Sequence, residues 1–422
     1  MSGFNGTIEP ESPQRVRGLL HNLARLYHIG LEGQGLAKIL AGKGNHQGES
    51  VVGEEKGTQH EGAVSFEVGP GFYRRTSQVG RDLAILAAMV EKGDRGQLRV
   101  LDSMAGCGVR SLRYWREGGA DWVLANEGNP EMNGILRKNL HPLLTAEAGE
   151  ISHRDANRVF FQCYDRRDYY DLVDVDSFGA PVPFLSTSLW AVRLGGLVYL
   201  TSTDGRSATG HEREQSLRIY GAYGRSHPSG HEQGLRLLIG ATQQQAASKG
   251  LGVEPLFSLY AHSVYRVMLR LVKGQRLTEA NYGFLTYCHH CGEYDTLSWR
   301  HLGRIPPCPR DGAVRVVSGP LWLGPLHDAH YLQRMSRRAQ EQGWDKRVKL
   351  LQTMAEESDL PPYFYGLGEI SRRNHQDTLP REVLLERLRA QGYRSSASHI
   401  NPQAVKTDAD FATCVAIAAQ PR

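Results

Sequence analysis

Apolar and polar positions change period several times along the chain, and each change marks an element. Residues 98–102 (Leu-Arg-Val-Leu-Asp) are a short apolar run of the kind that forms a buried parallel strand. A glycine-containing turn follows, and residues 109–115 then take up a helical pattern. Residues 122–126 predict a second strand, and residues 135–140 belong to a further helix. Residues 151–155 form a more polar strand with an acidic end, followed by longer apolar runs at 170–176 and 195–202. Upstream, residues 63–68 alternate as a half-buried strand does. Residues 78–92 predict an amphipathic helix, with Leu83, Ile85, Leu86 and Met89 on its apolar face. Residues 234–247 predict another helix, and 255–263 with 264–272 predict two adjacent strands. Strands alternating with helices imply a parallel, doubly wound sheet.

The turn after the first of these strands carries the candidate chemistry. Gly106 and Gly108 let the backbone approach a ligand closely, and the helix start at Val109 offers free N–H groups. Glu127 ends the next strand about twenty residues on, where a carboxylate can accept both hydroxyls of a ribose. A nicotinamide dinucleotide and S-adenosylmethionine (SAM) both suit this outline, and an ordinary βα turn with a close-packed glycine remains open. The third glycine of the dinucleotide pattern is absent, since Ser111 holds its place. Asp102 at the strand end favours SAM, whose ammonium group is drawn to a carboxylate. The pair of strands closing the α/β stretch suits the methyltransferase form of the fold, whose last strand is antiparallel.

Composition narrows the class. At 422 residues the chain is long for one core, so two domains are expected. Residues 1–62 are a polar extension rich in Gly, His and Glu. Helical spacing runs through 15–40, and a flexible connector is expected over 42–61. The methyltransferase domain is expected over 63–274, ending near Lys273-Gly274-Gln275, and an α+β domain over 275–422. A net charge of +5 is compatible with a polyanion partner. Six cysteines in a chain of this length suit a reduced cytoplasmic setting rather than a disulfide scaffold. The first residues carry no signal-peptide core, and no apolar run is long enough to span a bilayer.

Asp176-Ser177-Phe178-Gly179 ends the fourth strand, where a doubly wound sheet lines its ligand crevice. A carboxylate beside a turn and an aromatic side chain can hold an exocyclic amine on a flat base. Asp176 would accept the amine's hydrogens and receive the leaving proton, and Phe178 would cover the ring. A strand-ending Asp that merely caps the next turn is the alternative.

Over residues 61–408 the chain resembles the tRNA (guanine-26 N2)-dimethyltransferases. The resemblance rests on Phe72-Tyr73-Arg74-Arg75 with Arg81-Asp82, on the turn from Asp102 to Arg110, and on Ala125-Asn126-Glu127. Asp155-Ala156-Asn157 and Asp176 to Gly179 continue it. Thr201-Ser202-Thr203-Asp204, Tyr220-Gly221, residues 319–324 and Lys406-Thr407-Asp408-Ala409 complete it in the same order. The resemblance implies a SAM-dependent tRNA methyltransferase that adds one or two methyl groups to the guanosine N2, at position 26. It implies cofactor binding by Arg81, Asp102, Gly106, Gly108, Glu127, Asp155 and Ala156. Phe72, Tyr73 and Ser177 would contact substrate, and Asp176 with Phe178 would be catalytic. Two departures stand out. Ser177 replaces the proline that stiffens the catalytic loop in the family, and Arg74-Arg75 replaces Asn-Pro.

The family's C-terminal region often carries two cysteine pairs. Here Cys288 and Cys291 make one, while Cys308 is followed by Asp311 where a fourth cysteine would stand. That replacement makes zinc doubtful, and substoichiometric metal or none is expected. Basic residues Arg334, Arg337, Arg338, Lys346, Arg347 and Lys349, with Arg372-Arg373 and the run from Arg381 to Arg389, are candidate phosphate contacts. The expected partner is tRNA, with no membrane, no obligate protein partner and a monomeric state. A methyltransferase for another RNA position is the rival within the enzyme class, and a non-catalytic tRNA-binding chaperone is the rival outside it.

Overall fold

The computed structural model describes residues 57–374 and 377–420, so the helix expected within 15–40 lies outside the described residues. The described chain begins with a hairpin, β1 (Thr58–Glu61) antiparallel to β2 (Val64–Glu67). Helix α1 (Gln78–Arg95) follows, then β3 (Arg99–Asp102), α2 (Val109–Arg116) and β4 (Trp122–Asn126). Next come α3 (Asn133–Thr145), β5 (Gly149–Ser152), α4 (Ala156–Arg166), β6 (Tyr170–Asp176), α5 (Val182–Ala191) and β7 (Val192–Ser202). Two short helices lead to α6 (Gly230–Ala247), β8 (Leu251–Ala261) and β9 (Val264–Lys273).

Seven of these strands form one sheet in the order β5-β4-β3-β6-β7-β9-β8. The first five are parallel, and β9 runs antiparallel to both β7 and β8. This is the doubly wound, Rossmann-like sheet with a reversed strand near one edge. Its central strands are apolar on both faces because helices cover both: every residue of β6 but Asp176 is buried. The order reverses between β3 and β6, so their carboxyl ends diverge and open a crevice there.

Beyond β9, β10 (Tyr282–Tyr287), β11 (Tyr294–Leu297) and β12 (Val316–Trp322) form a small antiparallel sheet. Helices α7 (Ala329–Glu341) and α8 (Asp345–Glu356) come next, followed by a second small sheet with its own helices. The apolar core runs without a break from Val173 and Leu200 through Leu285 and Trp322 to Phe364 and Val405. Tyr331, Leu332 and Met335 of α7 pack with Leu83 and Leu86 of α1 in a second cluster. Among the described residues no helix is long and apolar enough to cross a membrane.

Two local features differ from the sequence reading. The connector expected up to residue 61 becomes strand β1 at its end. The reason is distant in sequence: buried Glu61 receives hydrogen bonds from Arg81, from Arg113 of α2 and from the Tyr73 hydroxyl. Helix α5 also escapes a propensity reading, because Pro181 and Val182-Pro183 look like a breaker. Both prolines fall at or before the first turn, where the missing N–H has no helical partner to lose.

Arg113 anchors the hairpin to the rest of the fold. Its Nη1 reaches both Glu61 and Asp82 at 2.8 Å, and its Nη2 reaches Glu117 at 2.8 Å. Arg347 of α8 joins the same cluster at Asp82, 2.7 Å away. Burial alone would raise the Glu61 carboxyl, but Arg81, Arg113 and Tyr73 hold it below the usual carboxylate range. A depressed carboxyl contributes stability above its unfolded pKa and loses it as pH falls through its folded pKa. Glu61→Gln should therefore lower the unfolding free energy at pH 7 by about 3–5 kcal/mol, the usual result of breaking a buried pair. Urea titrations of the two proteins should converge as the pH drops below the carboxylate range.

Candidate active site

At the carboxyl ends of β3, β4 and β6 lies a cleft of about 750 Å³. Phe72, Tyr73, Arg81, Gly106, Glu127, Asp155, Ala156, Asp176, Ser177 and Phe178 all line it. Residues from six separate stretches of sequence thus meet in one concavity. Asp102 and Gly108 do not line it and sit behind its wall.

The turn after β3 forms the rim. Gly106 takes a left-handed φ of 54°, and a Cβ there would meet nothing within 4 Å, so this position faces open space. Gly108, with φ 85°, differs: a Cβ would fall 2.8 Å from Leu136, which makes it a packing glycine. Glu127 braces the rim by accepting the Gly106 and Asn129 N–H groups, each at 2.8 Å. Asn126 ties the same strand ends together. Its Nδ2 donates to the carbonyls of Ser103 and Arg154, and its Oδ1 accepts from the Arg154 N–H. Asp155 is exposed and caps α4 by accepting the Arg158 N–H.

Three carboxylates converge beneath and within the cleft. Asp102 of β3 pairs in register with Asp174 of β6, and both are fully buried. Asp176 follows two residues later on the same strand face. Arg110 of α2 holds this set: Nη1 bonds Asp174 at 2.9 Å and Nη2 bonds Asp176 at 2.7 Å. Tyr114 donates to Asp174 at 2.6 Å, and Ser111 donates to Asp102 at 2.7 Å. Burial, then the nearby Asp174 charge, raises the Asp102 carboxyl well above its ordinary range. At Asp176 burial acts the same way but is overcome by Arg110 and then Arg266, so its carboxyl is held low. Of these three carboxylates Asp176 is the one held low, about a third exposed at the cleft (32 % for its side chain) and supported by a buried guanidinium.

The mouth is aromatic. Phe178 is 82 % exposed and Phe72 is 66 % exposed, with ring centroids 5.8 Å apart. Two large apolar rings left in water at a cleft mouth suit a flat ligand entering between strand ends. The loop holding Phe178 is pinned without proline. Gly179 N–H donates to Thr203 Oγ1 at 2.9 Å, and Thr203 N–H donates to the Gly179 carbonyl at 2.8 Å. Ser177 is buried behind it.

Arg81 lines the cleft, but its Nε and one terminal nitrogen are engaged by Glu61. Several side chains that the sequence reading did not single out also belong here. Arg110 could have been noticed as a charge opening an otherwise buried helix, and Arg266 as a charge inside an apolar strand. Glu61 carried no such local signal.

The cysteine residues form a separate group. Single ligand atoms of Cys288, Cys291, Cys308 and Asp311 all lie within 4.8 Å of one another. The Cys291 and Cys308 sulfurs are 3.4 Å apart, and Asp311 lies 3.5 Å from the Cys288 sulfur. Three thiols and a carboxylate at this spacing can hold zinc tetrahedrally. Two turns of the same kind present them, with the Gly292 N–H bonded to the Cys288 carbonyl and the Gly312 N–H to that of Cys308. Much of the basic C-terminal set is engaged within the protein. Arg334 pairs with Asp94, Arg338 with Glu341, Arg347 with Asp82 and Arg372 with Glu369.

A model of the N2,N2-dimethylguanosine tRNA methyltransferase family matches residues 49–419. The tRNA (guanine(26)-N(2))-dimethyltransferase of Thermococcus kodakarensis is 33% identical over 361 residues, covering 81% of this chain and 91% of that protein. Its counterpart in Methanothermobacter thermautotrophicus is 29% identical over 373 residues, covering 83% and 96%. Among solved structures, Trm1 from Pyrococcus horikoshii in complex with S-adenosyl-L-methionine superposes with a TM-score of 0.74. The identity is 26%, and the match covers 85% of this chain and 99% of that one.

Convergence of the four donors gives a site that can be tested against the expectation drawn from Asp311 alone. Protein purified without chelator should carry close to one equivalent of zinc by elemental analysis. Cys288→Ser should release it, because a serine hydroxyl is a far poorer zinc ligand than a thiolate. Metal absent from the wild-type protein would show that the four side chains only pack together.

Proposed function

This chain belongs to the N2,N2-dimethylguanosine tRNA methyltransferase family, and we propose that its cleft brings SAM and a tRNA guanosine together for methyl transfer to the exocyclic N2. The reading takes position 26 of the tRNA as the target and one or two methyl groups as the product. The observation that supports it most is the ionised Asp176, fixed by Arg110 beside two exposed aromatic rings. The residues around Gly106 suit the cofactor: an open left-handed glycine, a braced Glu127 and the start of α4 at Asp155 face one cavity.

In this reading Glu127 accepts the ribose hydroxyls, the backbone at Gly106 borders the amino-acid end, and Asp155 with Ala156 meets the adenine. Arg81 holds the adjoining wall through Glu61. Asp102 and Gly108 act from behind, through the buried acidic pair and through helix packing. When bound, SAM supplies an electrophilic methyl group on a sulfonium centre.

Phe72 and Phe178 hold the base, with Tyr73 and Ser177 shaping the pocket. A guanine amine is a weak nucleophile because its lone pair is delocalised into the ring. Asp176 accepts its hydrogen bonds and returns electron density to nitrogen. As the new C–N bond forms and the C–S bond breaks, the sulfur keeps the electron pair and the nitrogen becomes acidic. Its proton passes to Asp176 and, since that side chain is partly exposed, on to water. The low proton affinity of Asp176 makes hydrogen bonding and orientation its larger contributions.

We divide the chain into an extension that ends before β1, a methyltransferase region from β1 to residue 274 and a tRNA-binding region over 275–422 carrying the proposed zinc site. Arg74 and Arg75, both exposed near the cleft, add phosphate contacts. The protein works on tRNA as a monomer in the cytoplasm.

Incubation with SAM and a tRNA transcript, followed by mass spectrometry of its nucleosides, should reveal N2-methylguanosine. Asp176→Asn keeps the side-chain size but removes the charge. It should lower the single-turnover rate by about 10²–10⁴-fold, in line with a positioned base, while SAM still binds. A near-normal rate would leave Asp176 a structural cap. Glu127→Ala should weaken SAM by about 1.5–3 kcal/mol in calorimetry, the loss expected for hydrogen bonds to a charged acceptor. Equal affinity would take Glu127 out of the cofactor site.

A further inference from the structure

Arg266 is the third residue of β9 and is 2 % exposed, yet it lines the cleft. Its Nε and Nη1 are buried and have no hydrogen-bond partner. Among the described residues it forms no ion pair. A buried guanidinium with unmet donors is destabilising unless an acceptor arrives to meet them.

The surroundings make room for this group. A Cβ on Gly80 of α1 would fall 2.5 Å from Arg266 Nε, so the glycine leaves the space the guanidinium fills. Gly80 is itself held there, its carbonyl accepting the Tyr199 hydroxyl at 2.8 Å. Strand register sets the direction. Asp176 of β6 pairs with Thr201 of β7, and Thr201 pairs with Arg266 of β9. Asp176 and Arg266 are therefore two strand spacings apart, about 10 Å at the backbone, in one row across the sheet. Their side chains border the same cleft.

The chemistry of the missing acceptor follows. A phosphate group would need a more open site and would be repelled by ionised Asp176. A neutral carbonyl oxygen takes hydrogen bonds from a guanidinium without that penalty. Along one edge of guanine the 2-amino group and N1–H donate, and the 6-carbonyl accepts. The row in the protein is complementary: Asp176 accepts and Arg266 donates.

We propose that Arg266 is a substrate-contacting specificity residue that donates to O6 of the target guanine while Asp176 accepts from the 2-amino group. This rests on the reading of the cleft as a guanine N2 site. Arg266 then rejects purines that carry a 2-amino group but no 6-carbonyl, because their entry leaves a buried cation unpaired.

The test uses tRNAs carrying guanosine or 2-aminopurine riboside at the methylated position, with wild-type protein, Arg266→Gln and Arg266→Lys. Wild type should prefer guanosine by about 100-fold or more in kcat/KM. Arg266→Gln should lose most of that preference, chiefly through a lower rate on guanosine, and Arg266→Lys should keep part of it. The two bases also differ at N1, but that difference is common to all three proteins and cancels in the cycle. Calorimetry with SAM reports whether each variant retains its site. Preference in Arg266→Gln equal to wild type overturns the proposal. So does weakened SAM binding with preference intact, which would give the donors to the cofactor's carboxylate. Should the variants not fold, wild-type protein that uses both bases within about threefold overturns it unaided. Failure of wild type to methylate the guanosine tRNA overturns the functional reading itself, a result distinct from the others.

Discussion

One buried guanidinium holds the acidic floor of this protein together. Asp102, Asp174 and Asp176 crowd the ends of two adjacent parallel strands, and such a cluster would repel itself in a dry interior. Arg110 enters from the first turn of α2 and bridges Asp174 to Asp176. The division of roles among the carboxylates depends on it. Buried Asp102 and Asp174 have raised carboxyls, whereas Asp176, closest to the cleft, is held low and charged. The glycine turn has a matching task, since Gly106 and Gly108 allow the strand to bend into the helix that carries Arg110.

A second electrostatic knot closes the opposite wall. Arg113, one helical turn after Arg110, reaches a different set of partners and gathers Glu61, Asp82 and Glu117. Successive turns of one short helix therefore serve both the cleft and the hairpin beside it. Arg347, Arg334 and Arg270 extend the pattern, joining later parts of the chain to Asp82, Asp94 and Glu91 around α1. Arg334 and Arg347, which look like part of a nucleic-acid footprint in sequence, thus tie α7 and α8 to α1.

Two departures from the family pattern have local structural answers. The proline missing at Ser177 is offset by the reciprocal Gly179–Thr203 hydrogen bonds, which fix the loop from the neighbouring strand end. The cysteine missing at position 311 is replaced by a carboxylate that points at the same three sulfurs and also accepts from His290 at 2.8 Å.

The sheet was legible in the sequence because its strands are short apolar runs bounded by glycine and acidic residues. Residues 122–126 and 170–176 appear in the structure with the bounds their pattern predicts. The strand-end positions Glu127, Asp155 and Asp176 were legible for the same reason: in a parallel sheet, strand ends and cleft coincide. Tertiary structure alone decided the rest. Residues 58–61 carry little strand signal, and they become β1 because Glu61 finds partners twenty and more residues away. The motif around Asp102 suggested a cofactor ligand, but strand pairing buried its carboxylate beside Asp174 and out of the cleft. Neither result could be read locally. Hydrophobic period is a property of neighbours in sequence, whereas the charge, solvation and reach of a buried ionic group are set by whatever side chains the fold brings against it.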